Sequence, residues 1–166
     1  MKEETYRKIK TIFKNNNGYA RTKDIINADI HTSYLYKLAE TDKVDKVKRG
    51  LYHWNDGHFS RDEELVRVSK MVPKGVICLL SALSYYDITT INPWQYYMAI
   101  YRKDRKPSVP EYPPIQFYYF SKKQYKTGLI NIDIDGHEIK IYDVEKTICD
   151  CVRFRNKIGL DVAKEA

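Results

Sequence analysis

The sequence predicts an α+β chain in two parts: a small helical domain closed by a basic hairpin over residues 1–58, then a mixed α/β domain over residues 59–166. Three observations predict this. Helical spacing of apolar residues dominates the first forty positions. Two short β-like segments follow at once, separated by Arg49-Gly50. Turn formers then cluster at Asn55-Asp56-Gly57-His58, and beyond them strand-like and helix-like segments alternate.

Taken in order, residues 4–14 read as a helix with Tyr6, Ile9, Ile12 and Phe13 on one face and Lys8, Lys10 and Lys14 elsewhere. Asn15-Asn16-Asn17-Gly18 stops it, because Asn and Gly accept left-handed dihedrals. Thr22 is placed to cap a second helix over residues 23–28, with Ile25 and Ile26 inward. A third helix is expected over residues 31–41, burying Leu35, Leu38 and Ala39 and turning Thr32, Ser33, Tyr36, Lys37 and Glu40 away. The segments 44–48 and 51–54 then form a hairpin with a basic tip. Three helices followed by such a hairpin spell a winged helix-turn-helix.

In the second part, Arg61–Val72 reads as a helix ended by Pro73-Lys74-Gly75. Val76–Leu80 is either a buried strand or the start of a helix continuing through Tyr86. Gln95–Tyr101 and Ile115–Phe120 read as strands, with a proline-rich loop over 102–114 between them. Leu129–Ile134 and His137–Tyr142 alternate about Asp135-Gly136, a strong hairpin signal. Asp143 is placed to cap a last long helix over residues 144–154. The residues after it read as a helix just beginning, so the domain is expected to continue past residue 166.

Composition bounds the function. With 43% hydrophobic and 31% charged residues, the 166-residue chain has the mix of a globular protein and not of a disordered one. The net charge of +7 favours polyanionic partners. The excess is +4 over residues 1–60 (12 basic, 8 acidic) and +3 over the rest (17 basic, 14 acidic), so charge alone does not choose the binding domain. Cys78, Cys149 and Cys151 fit no disulfide framework and read as inert buried thiols in a reducing cytoplasm. No signal peptide is visible, and the apolar run at 76–80 is too short for a membrane span. No cofactor and no metal are expected.

In a winged module the third helix enters the major groove, while the wing and helix starts hold phosphates. Here the outward side of helix three offers His31, Thr32, Ser33, Tyr34, Tyr36 and Lys37 to base edges and sugars. Lys46, Lys48 and Arg49 of the wing, and Arg21, Thr22 and Lys23 at the start of helix two, suit phosphates. Helix three carries no Arg, Asn or Gln, the strongest bidentate base readers, so specificity is expected either to be modest per half-site or to be shared with Arg49 of the wing. Arg102, Lys103, Arg105 and Lys106 form a second basic cluster, read either as a solvated loop or as a secondary nucleic-acid contact.

The stretch GYARTKDIINADIHTSYLYKLAETDKVDKVKRGLYHW (residues 18–54), together with GVICLLSALSYYDIT, YPPIQFYYFS and IDIDGHEIKIYDVEKTICDCVRFRNKIGLDVAKEA, resembles the abortive-infection AbiEi antitoxin family of type IV toxin–antitoxin systems. The resemblance implies a phage-defence antitoxin that represses its own operon by binding inverted repeats in promoter DNA; because one winged head reads a short site weakly, two copies per operator are expected. It also implies a C-terminal domain that counters a nucleotidyltransferase-like toxin without a stable complex. By the same resemblance Thr32, Ser33, Tyr34 and Lys37 match recognition-helix positions, and Lys48 and Arg49 match the wing. Ala28 and Asp42 stand where Gly is common in such modules, which predicts stiffer turns.

Two alternatives belong to other classes. Asp133, Asp135, Glu138 and Lys140 flank the second hairpin, and Glu138-Ile139-Lys140 has the E-x-K form used by metal-dependent nucleases. Strand alternation gives the plainer account: Ile132, Ile134, Ile139 and Ile141 face in and the charges face water. A winged protein-interaction module would bind no DNA at all. Ser81 and Ser84 lack a nucleophile elbow and read as helix-surface residues, and the histidines have no evident partner. The chain is therefore expected not to be an enzyme.

Overall fold

The computed structural model describes residues 2–57 and 61–165. The boundary expected between residues 58 and 59 lies outside the described residues. The chain divides into two compact units, Met1–Glu63 and Glu64–Ala166. The α+β class with a winged helix-turn-helix first holds.

In the first unit, helix α1 (Glu3–Asn15) buries Ile9 and Phe13, with Tyr6 and Ile12 packed beside them. It ends where Gly18, at φ +85°, donates its N–H to the Phe13 carbonyl at 2.8 Å. Strand β1 (Tyr19–Arg21) leads into α2 (Thr22–Asn27) and α3 (Ser33–Glu40), followed by β2 (Val44–Lys48) and β3 (Leu51–Trp54). The three strands form an antiparallel sheet in the order β1-β3-β2. Sequence reasoning missed β1, because three residues carry no alternation and the strand exists only by pairing with β3. Leu35 and Leu38 of α3 pack with Ile9, Phe13, Ile25, Val44 and Tyr52 into one core. Trp54 closes that core edge-on to Tyr6 and Phe13, at ring-centre distances of 5.8 and 5.5 Å.

Two local expectations are corrected in α2. Ile26 is 56% exposed while Ile25 is fully buried, since neighbours on a helix diverge by about 100° and a two-turn helix has one inward face. Thr22 is the first helical residue and not the cap. Instead the Asp24 carboxylate reaches back and accepts the Arg21 backbone N–H at 2.7 Å.

Helix α4 (Arg61–Met71) starts at the end of the first unit and runs on into the second, where β4 (Val76–Ile77), α5 (Leu79–Tyr85), β5 (Tyr96–Tyr101), β6 (Ile115–Phe120), α6 (Lys122–Lys126), β7 (Leu129–Ile134), β8 (His137–Tyr142), α7 (Val144–Arg153), α8 (Arg155–Ile158) and α9 (Leu160–Glu165) follow. The sheet runs β6-β5-β4-β8-β7, with β5–β6 and β4–β8 parallel and the other pairs antiparallel. The stretch 76–80, open between strand and helix, is both: it switches at Cys78, and Leu79 takes a left-handed φ of 49°. That conformation costs a non-glycine residue about 1 kcal/mol or more, and full burial of the Leu79 side chain offsets it.

Because β4 is only two residues long, β5 runs past its end. Ser81 continues the ladder there: the Tyr97 backbone N–H donates to Ser81 Oγ at 2.8 Å. Ser81 and Ser84 are therefore buried and not on the surface, because α5 is packed on every side. The Asp135-Gly136 hairpin forms with both residues at positive φ, 51° and 78°, as a primed turn requires. Asp143 caps α7 by accepting the Lys146 backbone N–H at 2.8 Å.

One turn further on, Lys146 donates to the Asp150 carboxylate. Its ammonium lies 4.8 Å from the Phe120 ring centre and 5.0 Å from that of Tyr142. Cys78 and Cys151 lie in the same core, and burial drives both thiols up, that of Cys151 to about 12. Cys149, expected buried, is exposed on the other side of α7. Among the described residues no helix is long and apolar enough to cross a membrane.

Candidate nucleic-acid interface

The turn between α2 and α3 sets the presentation of α3. Ile30 donates its N–H to the Ile25 carbonyl and tucks its side chain into the core. Asp29 takes the left-handed residue of this turn at φ 56°, so Ala28 stays at φ −93° and no glycine is needed. Asp42, after α3, likewise adopts φ 53°. With Leu35 and Leu38 fixed inward, Tyr36, Lys37 and Glu40 are exposed, and Thr32 and Ser33 are half-buried at the helix start.

Two residues sit differently from the simple face pattern. His31 precedes the helix and does not belong to it; Ser33 is the first helical residue. Tyr34 is half-buried and packs against the core, with the Lys37 ammonium 6.0 Å from its ring centre. Its ring is thus a support for Lys37 as much as an outward group.

The wing meets α3 through a polar contact. The Tyr52 hydroxyl of β3 hydrogen-bonds Tyr36, and burial together with that neighbour raises the Tyr52 phenol above its usual range. Tyr52 lies opposite Lys46 of β2, which is exposed. Tyr36 is 56% exposed despite the contact, so helix face and wing strand are continuous here.

At the wing tip the basic residues gather. Arg21 of β1 and Lys48 of β2 are both in register with Leu51 of the central strand β3. Two cations therefore flank one residue from opposite sides. Burial, and then the Arg21 charge, hold the Lys48 ammonium below its ordinary range. A bulge between Lys46 and Lys48 and the positive φ of Gly50 (75°) shape the turn carrying exposed Arg49. The Thr22 N–H donates to the Gly50 carbonyl at 3.1 Å, which ties the start of α2, with exposed Lys23 on its first turn, to this tip.

In the second unit, Arg102, Lys103, Arg105 and Lys106 are exposed in the turn after β5. The Arg102 N–H donates to the Phe120 carbonyl at 2.9 Å, Asp104 faces Lys74 at 3.7 Å, and the Lys106 ammonium lies 5.7 Å from the Phe117 ring centre. In the E-x-K hairpin, Asp133 and Lys140 make contacts with the backbone. Asp133 accepts the Gly136 N–H at 3.0 Å within the turn, and Lys140 donates to the Pro73 carbonyl at 3.3 Å. Among the described residues no three His, Cys, Asp or Glu side chains are grouped to hold a metal ion. Two of the histidines have partners: His53 lies tilted against Tyr19 with ring centres 4.5 Å apart and 3.7 Å from the Glu63 carboxylate, and His31 contacts Ser33.

A comparison with curated proteins gave no match. Residues 7–52, from the middle of α1 through the wing, match the family model described as transcriptional regulator, AbiEi antitoxin, and over that stretch the resemblance read from the sequence holds.

Proposed function

We propose that this protein is an autorepressor and antitoxin: it binds inverted repeats in the promoter of its own operon through α3 and the wing, and its second unit counters a nucleotidyltransferase-like toxin without a stable complex. The observation that carries the DNA half is the wing tip, where Arg21 and Lys48 flank Leu51 with their charges in mutual repulsion. An anionic phosphate between or beside them relieves that repulsion, which is the electrostatic signature of a polyanion site. In this assignment Arg21, Thr22, Lys23, Lys46, Lys48 and Arg49 hold phosphates, and Thr32, Ser33, Tyr34, Tyr36 and Lys37 face the groove. The family description supports transcriptional regulation by an antitoxin.

One winged head covers a short site, so two copies on two half-sites are expected. The Arg102–Lys106 turn is assigned a secondary nucleic-acid contact. Footprinting the DNA upstream of the operon tests the proposal. Two protected repeats related by a dyad are expected, with toxin rescue in cells by the full chain. Absence of any protected repeat at 100 mM salt, roughly the range where such complexes form, would refute the autorepressor assignment. Toxicity undiminished by the full chain would refute the antitoxin assignment.

A further inference from the structure

At the entrance to α3 the chain lacks the usual hydroxyl or carboxylate cap. Thr32, the residue before the helix, has α-type dihedrals at φ −62° and ψ −20° in place of the extended ones of a usual cap, and its side chain makes no capping hydrogen bond. The ring of His31 replaces it: the Ser33 backbone N–H donates to His31 Nδ1 at 3.2 Å. A ring nitrogen that accepts an N–H must carry its lone pair, so the proton of the neutral imidazole resides on Nε2. The Ser33 hydroxyl lies 2.8 Å from the same Nδ1 and, with the lone pair there, it donates. Ser33 therefore turns its proton inward to His31, and the outward donor at this point is His31 Nε2–H, on the far side of an exposed ring. Nε2 makes no hydrogen bond to any described residue.

This arrangement changes which side chain can discriminate bases. A hydrogen-bond donor at the start of a recognition helix distinguishes base pairs that present an acceptor in the major groove, purine N7 above all, from those that present a donor or a methyl group. The helix has no Arg, Asn or Gln to do this. We infer that His31, held as the Nε2–H tautomer by the Ser33 backbone N–H, is the specificity-determining donor to a purine acceptor in each half-site. The inference rests on the proposed function, since it requires α3 to enter a major groove.

The test compares the full-length protein with His31→Asn, His31→Gln and Ser33→Ala on a panel of duplexes. Each base pair of the protected repeat is varied in turn, and each purine is replaced in turn by its 7-deaza analogue. Asn keeps a short acceptor for the Ser33 N–H but loses the reach; Gln keeps a distal donor. The wild type is expected to show one position per repeat where 7-deaza substitution weakens binding about 5- to 10-fold, the worth of one hydrogen bond to a base edge. His31→Asn should bind with no sensitivity there, His31→Gln should recover part of it, and Ser33→Ala should keep most of it because the backbone N–H still fixes the tautomer. Urea midpoints for His31→Asn near wild type will confirm that the cap survives. If the wild type binds upstream DNA and His31→Asn keeps the full 7-deaza sensitivity, or Ser33→Ala alone abolishes it, the inference is overturned while the repressor assignment stands. If the wild type binds no upstream DNA, both fall together.

Discussion

Replacing Arg21 and Lys48 by Gln, singly and together, probes the wing tip through the salt dependence of DNA binding. Each cation that neutralises a phosphate contributes about 0.9 to the slope of log K against log salt. Arg21 and Lys48 reach the tip from different strands, on either side of Leu51, which is enough separation for two phosphates. Each single variant should then flatten the slope by about 0.9 and the double variant by about 1.8. Raising salt from about 50 to about 200 mM would cost the double variant about 12-fold less affinity than it costs the wild type. The two variants should also be coupled, because removing Arg21 removes part of what holds the Lys48 ammonium down. Fluorescence anisotropy titrations of a labelled upstream duplex at five salt concentrations give these slopes. An unchanged slope in the double variant would refute the phosphate assignment of both residues.

Three further outcomes concern the second unit. Ser81→Ala leaves the buried Tyr97 N–H without its acceptor and should lower stability by about 1–3 kcal/mol in urea unfolding, more than a surface serine would. Lys146→Met leaves the Asp150 carboxylate buried without its counter-charge and should cost about 3–5 kcal/mol near neutral pH. Burial, opposed by the Lys146 contact, raises the Asp150 carboxyl above the usual range. This group therefore adds stability as pH falls below its raised value, and the stability is lost as pH rises through it, a slope that Asp150→Asn should remove. In a thiol-alkylation time course on the native protein Cys149 should react at once, and Cys78 and Cys151 only on unfolding; immediate modification of all three would contradict the buried core around α7.

What was legible in the sequence was local. The β2–β3 wing, the Asp135-Gly136 hairpin and the Asp143 cap each declare themselves over a short contiguous stretch, through turn formers, alternation or a capping residue. Helix α6 carries the same kind of signal, Ser121 and Gln124 in a reciprocal capping box, but its five residues are too few for an apolar periodicity to show. What was not legible depends on partners far along the chain. Strand β1 exists by pairing with β3, Ser81 is buried by serving Tyr97, and Cys149 is exposed because α7 turns the side bearing Cys151 inward. For the interface, residue types and elements could be read in advance. The Tyr36–Tyr52 contact, the Arg21–Lys48 opposition and the His31–Ser33 lock could not, since each arises from geometry that no spacing rule encodes.

The account stands or falls on which surface touches DNA. Backbone amide shifts of the full chain, followed by NMR during titration with the upstream duplex, answer that residue by residue. The largest changes are expected at residues 21–23, 31–37 and 46–50, with Leu35 moving only through its helix. Saturable binding that leaves α3 and the wing unmoved, with the shifts elsewhere, would contradict it.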